Sequence, residues 1–250
     1  IIENLGPGIY SFSITDLEGV CSYQFDGEFN IIEDTPVEVE LLDYSNYNDY
    51  GVQCNGGDNG FIDINPFGGS GGYQFQWSGT DLNGNAIDLG DQVNSQNLIG
   101  LEVGFYSLIV IDNHGCFNQE VFEHEITEPT EILNVLLENN SDDTYVNYGI
   151  QCYEADNGFI ELTIGGGVSP YDYDWTLDGQ SFSDQEDIYN LGPGLYECVI
   201  TDANNCVIIY SHEVTEPNIL ELTANPSNFN EFEISCNGEN DAYIEIDISG

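Results

Sequence analysis

The sequence predicts an all-β protein made of tandem Ig-like or fibronectin-like β-sandwich modules of about 90 residues. Three observations predict it. Short segments such as "FIDINP", "YQFQW", "FYSLIVID" and "VFEHEI" alternate apolar and polar residues or run apolar over four to eight positions, as strands do. Gly, Asn, Asp and Pro separate these segments, and no window carries a 3.6-residue apolar stripe. Whole phrases also recur along the chain at a nearly constant distance.

The recurrence sets the module length. "CNGGDNGFIDI" from Cys54 returns as "CYEADNGFIEL" from Cys152 and as "CNGENDAYIEI" from Cys236. "LGPGIYSFSITDLEGVC" at 5–21 returns as "LEVGFYSLIVIDNHGC" at 101–116 and "LGPGLYECVITDANNC" at 191–206. "HEITEP" from His124 returns as "HEVTEP" from His212, with "IIEDTP" from Ile31 a looser copy. The prolines Pro36, Pro129 and Pro217 lie 93 and 88 residues apart. The expected organisation is the end of one module at 1–36, complete modules at 37–128 and 129–216, and the start of another at 217–250. The chain lacks an initiator Met and stops inside a pattern at "YIEIDISG", so it reads as a window of something longer.

Seven strands in about 90 residues suit a two-sheet sandwich. In "YQFQW", Tyr73, Phe75 and Trp77 share one face and Gln74 and Gln76 the other. The second copy sends Tyr171, Tyr173 and Trp175 inward and Asp172 and Asp174 outward. Both Trp residues are therefore expected in the core. "LGPG" makes a tight turn, and the Tyr that follows it, Tyr106 or Tyr196 in the complete modules, begins a strand where a corner contact is possible. "TDxxGC" ends that strand in a turn before the last strand, to which His124 and His212 belong.

Composition excludes several partners. The 250 residues include 46 Asp or Glu, three His and no Lys or Arg, for a net charge of −46, whereas an average chain of this length has roughly 30 basic residues. Nucleic acid needs Lys and Arg against phosphate and is excluded. Anionic membrane surfaces and phosphate-bearing cofactors are disfavoured for the same reason. Cations are the natural counterparts. A chain that is 40% hydrophobic and 12% aromatic has enough apolar surface to build cores. No run approaches the roughly 18–20 apolar residues that span a membrane. Like-charged modules repel, which keeps a string of them extended and soluble, and trypsin-like proteases find no cleavage site.

Seven cysteines in such a chain favour an oxidising compartment, and none forms a CxxC or zinc-like spacing. Their matching places in the copies suggest one disulfide per module, Cys54 with Cys116 and Cys152 with Cys206. Closing those loops would stabilise each module by roughly 4 kcal/mol in the chain-entropy model. Cys21 and Cys236 would then pair beyond the two ends. Cys198 stands where other copies have Phe12 and Leu108 and is expected as a buried free thiol, since nothing around it suits a nucleophile.

Carboxylates are too abundant for a catalytic pair to be read from spacing, and HExxH is absent. One loop, "DLNGNAIDLGD", sets Asp81, Asn83, Asn85, Asp88 and Asp91 at roughly alternating positions. These are hard oxygen donors suited to calcium, although the loop is not an EF-hand, and a solvated polar loop is the plainer reading. Glu128 and Glu216 in "TEP" stand at the module joints, where a cation would stiffen a hinge. Asn139 fits an N-glycosylation acceptor by pattern.

"CNGGDNGFIDI", the following "GGYQFQW" and the closing "LxxGxYxxxxxDxxGC" together resemble the SprB repeat of giant cell-surface adhesins in gliding Bacteroidetes. The resemblance runs over nearly the whole chain. It departs at Asn205, which replaces the Gly before Cys206, and at Val20, inserted before Cys21. It implies type IX secretion, an outer-membrane anchor elsewhere in the chain, an extracellular location at the cell surface and a filament carried by the gliding machinery. It supplies no catalytic residues. The expected function is a repetitive stalk of an adhesin. The alternative is a polysaccharide-binding sandwich, which would show exposed aromatics in a cluster. An enzyme would show one module that differs from the rest.

Overall fold

The computed structural model describes residues 1–250 apart from Leu17, Val20, Asp26, Val146 and Asn147. It is all-β, with two short 3-10 turns at Gly90–Asn94 and Ser141–Asp143. Four three-residue strands come first: β1 (Gly8–Tyr10), β2 (Ser13–Thr15), β3 (Ser22–Gln24) and β4 (Phe29–Ile31). Seven strands follow: β5 (Glu38–Tyr44), β6 (Gly60–Phe67), β7 (Gln74–Thr80), β8 (Ala86–Ile87), β9 (Leu98–Leu101), β10 (Gly104–Ile111) and β11 (Phe122–Ile126). Seven more repeat the series: β12 (Asn134–Asn140), β13 (Gly158–Gly165), β14 (Tyr171–Leu177), β15 (Gln180–Ser183), β16 (Ile188–Leu191), β17 (Gly194–Asp202) and β18 (Val207–Val214). A last pair, β19 (Glu221–Pro226) and β20 (Ile244–Ser249), closes the chain.

Each seven-strand series forms one three-stranded and one four-stranded antiparallel sheet. The first gives β5-β6-β9 and β11-β10-β7-β8; the second gives β12-β13-β16 and β15-β14-β17-β18. Identical strand orders in the two series are what equivalent sequences should produce. Both copies also shift register at the same glycine, Gly60 against Leu101 and Gly158 against Leu191. A Cβ at Gly60 would stand 2.8 Å from the Leu101 carbonyl oxygen, so the Gly of "DNGF" lets the neighbouring strand approach.

The chain divides into two compact units, one of Ile1–Asn46 with Asp58–Thr127, the other of Tyr47–Gly57 with Glu128–Gly250. The segment Tyr47–Gly57 thus lies between β5 and β6 in sequence but belongs to the second unit. In that unit the core gathers Ile160 and Leu162 of β13, Trp175 of β14, Ile188 and Leu191 of β16, and Tyr196, Cys198 and Ile200 of β17. Residues from both sheets meet there, as in a sandwich. The first unit buries the matching set, including Ile62, Ile64, Trp77, Leu98, Leu101, Tyr106, Leu108 and Val110.

Alternation decides which side chains face these cores. Along β7 and the residue before it, Tyr73, Phe75 and Trp77 are wholly or partly buried while Gln74 and Gln76 are exposed. Along β14, Tyr171, Tyr173 and Trp175 are sheltered while Asp172 and Asp174 face solvent. Trp175 is 0% exposed and its indole Nε1 donates to the Gln185 carbonyl at 2.8 Å. Trp77 makes the same bond to Ser95 at 2.9 Å, so neither buried N–H is left unpaired. Cys198 is a free, fully buried thiol directly across from Trp175. Leu108 faces Trp77 in the other copy. Desolvation pushes the Cys198 thiol up to about 11, so it packs as a small apolar group.

Candidate functional site

The recurrent "G-x-Y" phrase places a buried Tyr at the start of the strand that crosses to the second sheet. Tyr106 O–H donates to the Glu102 carbonyl at 2.8 Å and Tyr196 O–H to the Gly192 carbonyl at 3.1 Å. Tyr10 repeats the bond to Gly6 at 2.7 Å. This is the tyrosine corner of Ig-type sandwiches. Burial raises both Tyr106, to about 12, and Tyr196, so they stay protonated donors.

At the far end of the same strand the Asp of "D-x-x-G/N-C" ties the turn. Asp112 Oδ1 accepts from the His114 and Cys116 N–H groups, both at 2.9 Å, and Oδ2 from Ser70 N–H at 2.9 Å. Asp202 does the same with Asn204, Cys206 and Val168, all at 2.8 Å. The partner loops must come close. A Cβ on Gly69 or Gly167 would lie 2.7 or 2.6 Å from that carboxylate, and both glycines have positive φ. Donation from Ser70 N–H, with further bonds from the turn, holds the Asp112 carboxyl down at about 2.

The sign of the resulting pH dependence follows. A depressed carboxyl contributes stability that is complete above its unfolded value near 4 and is lost as pH falls through about 2. Thermal melts between pH 5 and pH 2 are expected to show this loss in the first unit. Asp112→Asn should flatten that dependence while lowering stability at neutral pH.

The turn presents its cysteine to a second element. In the second unit, Asn204 is only 3% exposed and grips the Tyr47–Gly57 segment. Asn204 Nδ2 donates to the Tyr47 and Gln53 carbonyls at 3.1 and 2.9 Å. Asn48 Nδ2 donates to Asn204 Oδ1 at 2.6 Å, and Gln53 Nε2 to the Asn204 carbonyl at 2.6 Å. Beside this network Cys54 and Cys206 form a disulfide with their Cα atoms 5.8 Å apart. The segment is fastened again at its other end, where Asn55 Nδ2 donates to the Pro129 carbonyl and Gly56 N–H to Glu128 Oε2.

This corrects the pairing expected from sequence. Cys54 is joined to Cys206 rather than Cys116, and Cys116 and Cys152 are free, exposed thiols, as are Cys21 and Cys236. The physical reason is the placement of Tyr47–Gly57. Asn204 holds that segment in the second unit, so Cys54 meets the turn cysteine of the following repeat and not that of its own. Sequence reading missed Asn48, Gln53 and Asn204. The legible signal was a second recurrence, "YNDYGVQC" at 47–54 and "YVNYGIQC" at 145–152.

Most of the remaining candidates have structural partners. Asp81 Oδ1 accepts from the Asn83 and Asn85 N–H groups and Oδ2 from Asn85 Nδ2, all at 2.8 Å. Asp88 Oδ1 accepts from Gly90 N–H, and Asp91 lies in the 3-10 turn that follows. Asp81, Asn83 and Asn85 thus come together around their own turn. Among the described residues no three His, Cys, Asp or Glu side chains converge to hold a metal ion. Glu128 and Glu216 each accept a backbone N–H, from Gly56 and Glu154. His124 of β11 packs against Tyr44 with ring centroids 4.7 Å apart, and burial lowers its pKa. His212 of β18 lies 3.6 Å from Glu138 Oε1 and 3.3 Å from Asp142 Oδ2. Asn139 Nδ2 donates across strands to Glu161, which also accepts from Tyr189 O–H.

Corner tyrosine, core tryptophan and Asp-held cysteine turn, each written in both series, define a tandem-repeat protein of Ig-like β-sandwiches. The SprB repeat family matches at residues 52–82 and again at 150–179, once in each complete repeat, so the chain carries two segments that match the SprB repeat. No curated protein matches it. Among solved structures it is similar to domains 7, 8 and 9 of the S-layer protein SbsC, at 8% identity, covering 84% of this chain and 69% of that one with a TM-score of 0.22. It is also similar to Salmonella alpha-2-macroglobulin reacted with methylamine, at 12% identity, covering 89% and 19% with a TM-score of 0.21. Among the described residues no helix is long and apolar enough to cross a membrane.

Proposed function

We propose that these repeats form a stalk segment of a large secreted cell-surface adhesin that serves attachment and gliding, with a mechanical part and no catalytic one. The observation that carries this reading is what the two complete repeats share. The corner tyrosines Tyr106 and Tyr196, the core residues Trp77 and Trp175, and the turn aspartates Asp112 and Asp202 hold a sandwich together. They recur at corresponding positions in both repeats. A net charge of −46 without any Lys or Arg suits a surface string, since like-charged modules repel one another and trypsin-like proteases find no site. Type IX secretion and the gliding machinery are the partners this reading takes from the family.

The test is an antibody raised against residues 37–216 and applied to intact cells of the source organism. Surface labelling that disappears when type IX secretion is disabled is the expected result, and cells lacking residues 37–216 should still attach. Labelling only after cell lysis would sink the proposal. Retention of the purified chain on extracellular polysaccharide would replace it with the binding-module reading.

A further inference from the structure

We propose that the Cys54–Cys206 bond is one rung of a ladder in which each repeat is joined to the next. The cysteine before "NGG" or "YEA" in one repeat bonds the "D-x-x-G/N-C" cysteine of the repeat that follows it. Wherever a further repeat of this kind adjoins, Cys152 bonds its turn cysteine, and Cys116 bonds the Cys54 equivalent of the repeat before. The ladder rests on the observed disulfide and its contacts, not on the stalk reading.

Three observations carry it. The offset of one repeat accounts for six cysteines at once. It pairs Cys54 with Cys206 and leaves Cys21, Cys116, Cys152 and Cys236 without a partner in this chain, and those four are the exposed free thiols. Pairing within a repeat would instead join Cys54 to Cys116 and Cys152 to Cys206.

Both halves of the joint are also built where the bond is not made. The Cys116 turn has the same carboxylate clasp as the Cys206 turn, with Asp112 accepting from Cys116 N–H at 2.9 Å and Asp202 from Cys206 N–H at 2.8 Å. The segment before Cys152 repeats the one before Cys54 as Tyr-x-x-Tyr-Gly-Ile-Gln-Cys. Its Glu154 N–H donates to Glu216 Oε2 at 2.8 Å, as Gly56 N–H does to Glu128 Oε2 at 2.6 Å. Finally, the chemistry separates these thiols from Cys198, which is buried at the centre of a core and out of reach of any partner.

Bond formation needs an oxidant, here a low-molecular-weight disulfide or the disulfide of an oxidoreductase. One cysteine thiolate attacks it and releases one thiol. The second cysteine then displaces the other, so two protein thiols and one oxidant disulfide give one protein disulfide and two thiols.

The test inserts a second copy of 129–216 directly after Glu216 in the 250-residue chain, with the inserted Cys152 equivalent changed to Ser. The protein is refolded with oxidised and reduced glutathione, alkylated without reduction and mapped with an acid-side protease. In the unchanged chain, Cys152 and Cys116 should be alkylated and Cys54 linked to Cys206. In the extended chain, alkylation of Cys152 should be lost and a Cys152–Cys206-type linked peptide should appear. Full alkylation of Cys152 in a folded extended chain would overturn the ladder. So would a Cys54–Cys116 or Cys152–Cys206 link in the unchanged chain, a result readable even if the insertion fails to fold.

Discussion

Replacing Trp175 with Ala is expected to destabilise the second unit by about 3–5 kcal/mol, enough to leave it largely unfolded if its stability is ordinary. The indole is fully buried between the two sheets, beside Ile160, Leu191 and Cys198, and its removal leaves a cavity that the surrounding strands only partly close. The Gln185 carbonyl also loses its 2.8 Å donor. Denaturant melts followed by circular dichroism should show one transition moved sharply down and the other unmoved. Trp77→Ala should reverse the pattern by acting on the first unit. Ile209, exposed on β18, is the control: Ile209→Ala should stay within about 0.5 kcal/mol. Equal effects of Trp175→Ala and Ile209→Ala would mean that the core is not where the fold puts it.

Cys54→Ser carries the second large effect. The bond it removes spans 152 residues of chain, for which loop-closure entropy alone allows about 5 kcal/mol, with 2–5 kcal/mol usual for a native disulfide. The second unit should melt lower, and a reducing agent should shift the unmodified chain by the same amount while leaving Cys54→Ser unmoved. Cys116→Ser decides the pairing, because that thiol is free and exposed and its loss should be neutral. A Cys116→Ser variant as unstable as Cys54→Ser would restore the pairing within a repeat. Asn204→Ala separates the polar network from the covalent bond. It should destabilise the unit even when the disulfide is intact, because the half-buried Gln53 carbonyl loses the Asn204 amide and the Tyr47 carbonyl is left with the Tyr50 N–H alone.

Much of this was legible before any coordinates. A strand's face is a matter of neighbours two residues apart, so "YQFQW" and "YDYDW" announced Trp77 and Trp175 as core. The corner was legible because the phrase recurs with its Tyr in place, and Tyr106, Tyr196 and Tyr10 all reach back four residues to a carbonyl. Cys198 was legible by substitution, standing where another copy writes Leu108. The "DLNGNAIDLGD" loop was less so. A run of oxygen donors looks alike whether it faces a cation or its own backbone, and only the coordinates show Asp81 accepting from Asn83 and Asn85.

The sequence by itself determined the repeat, the strands, their inward faces and the two kinds of cysteine site, since each depends on residues near one another in the chain. Only the tertiary structure decided which cysteine meets which. Spacing has little power there: Cys54 is 62 residues from Cys116 and 152 from Cys206, and closing the longer loop costs only about 1 kcal/mol more. A few half-buried hydrogen bonds outweigh that difference. Asn204, sealed against Tyr47, Asn48 and Gln53, holds the segment where Cys206 is the sulfur within reach.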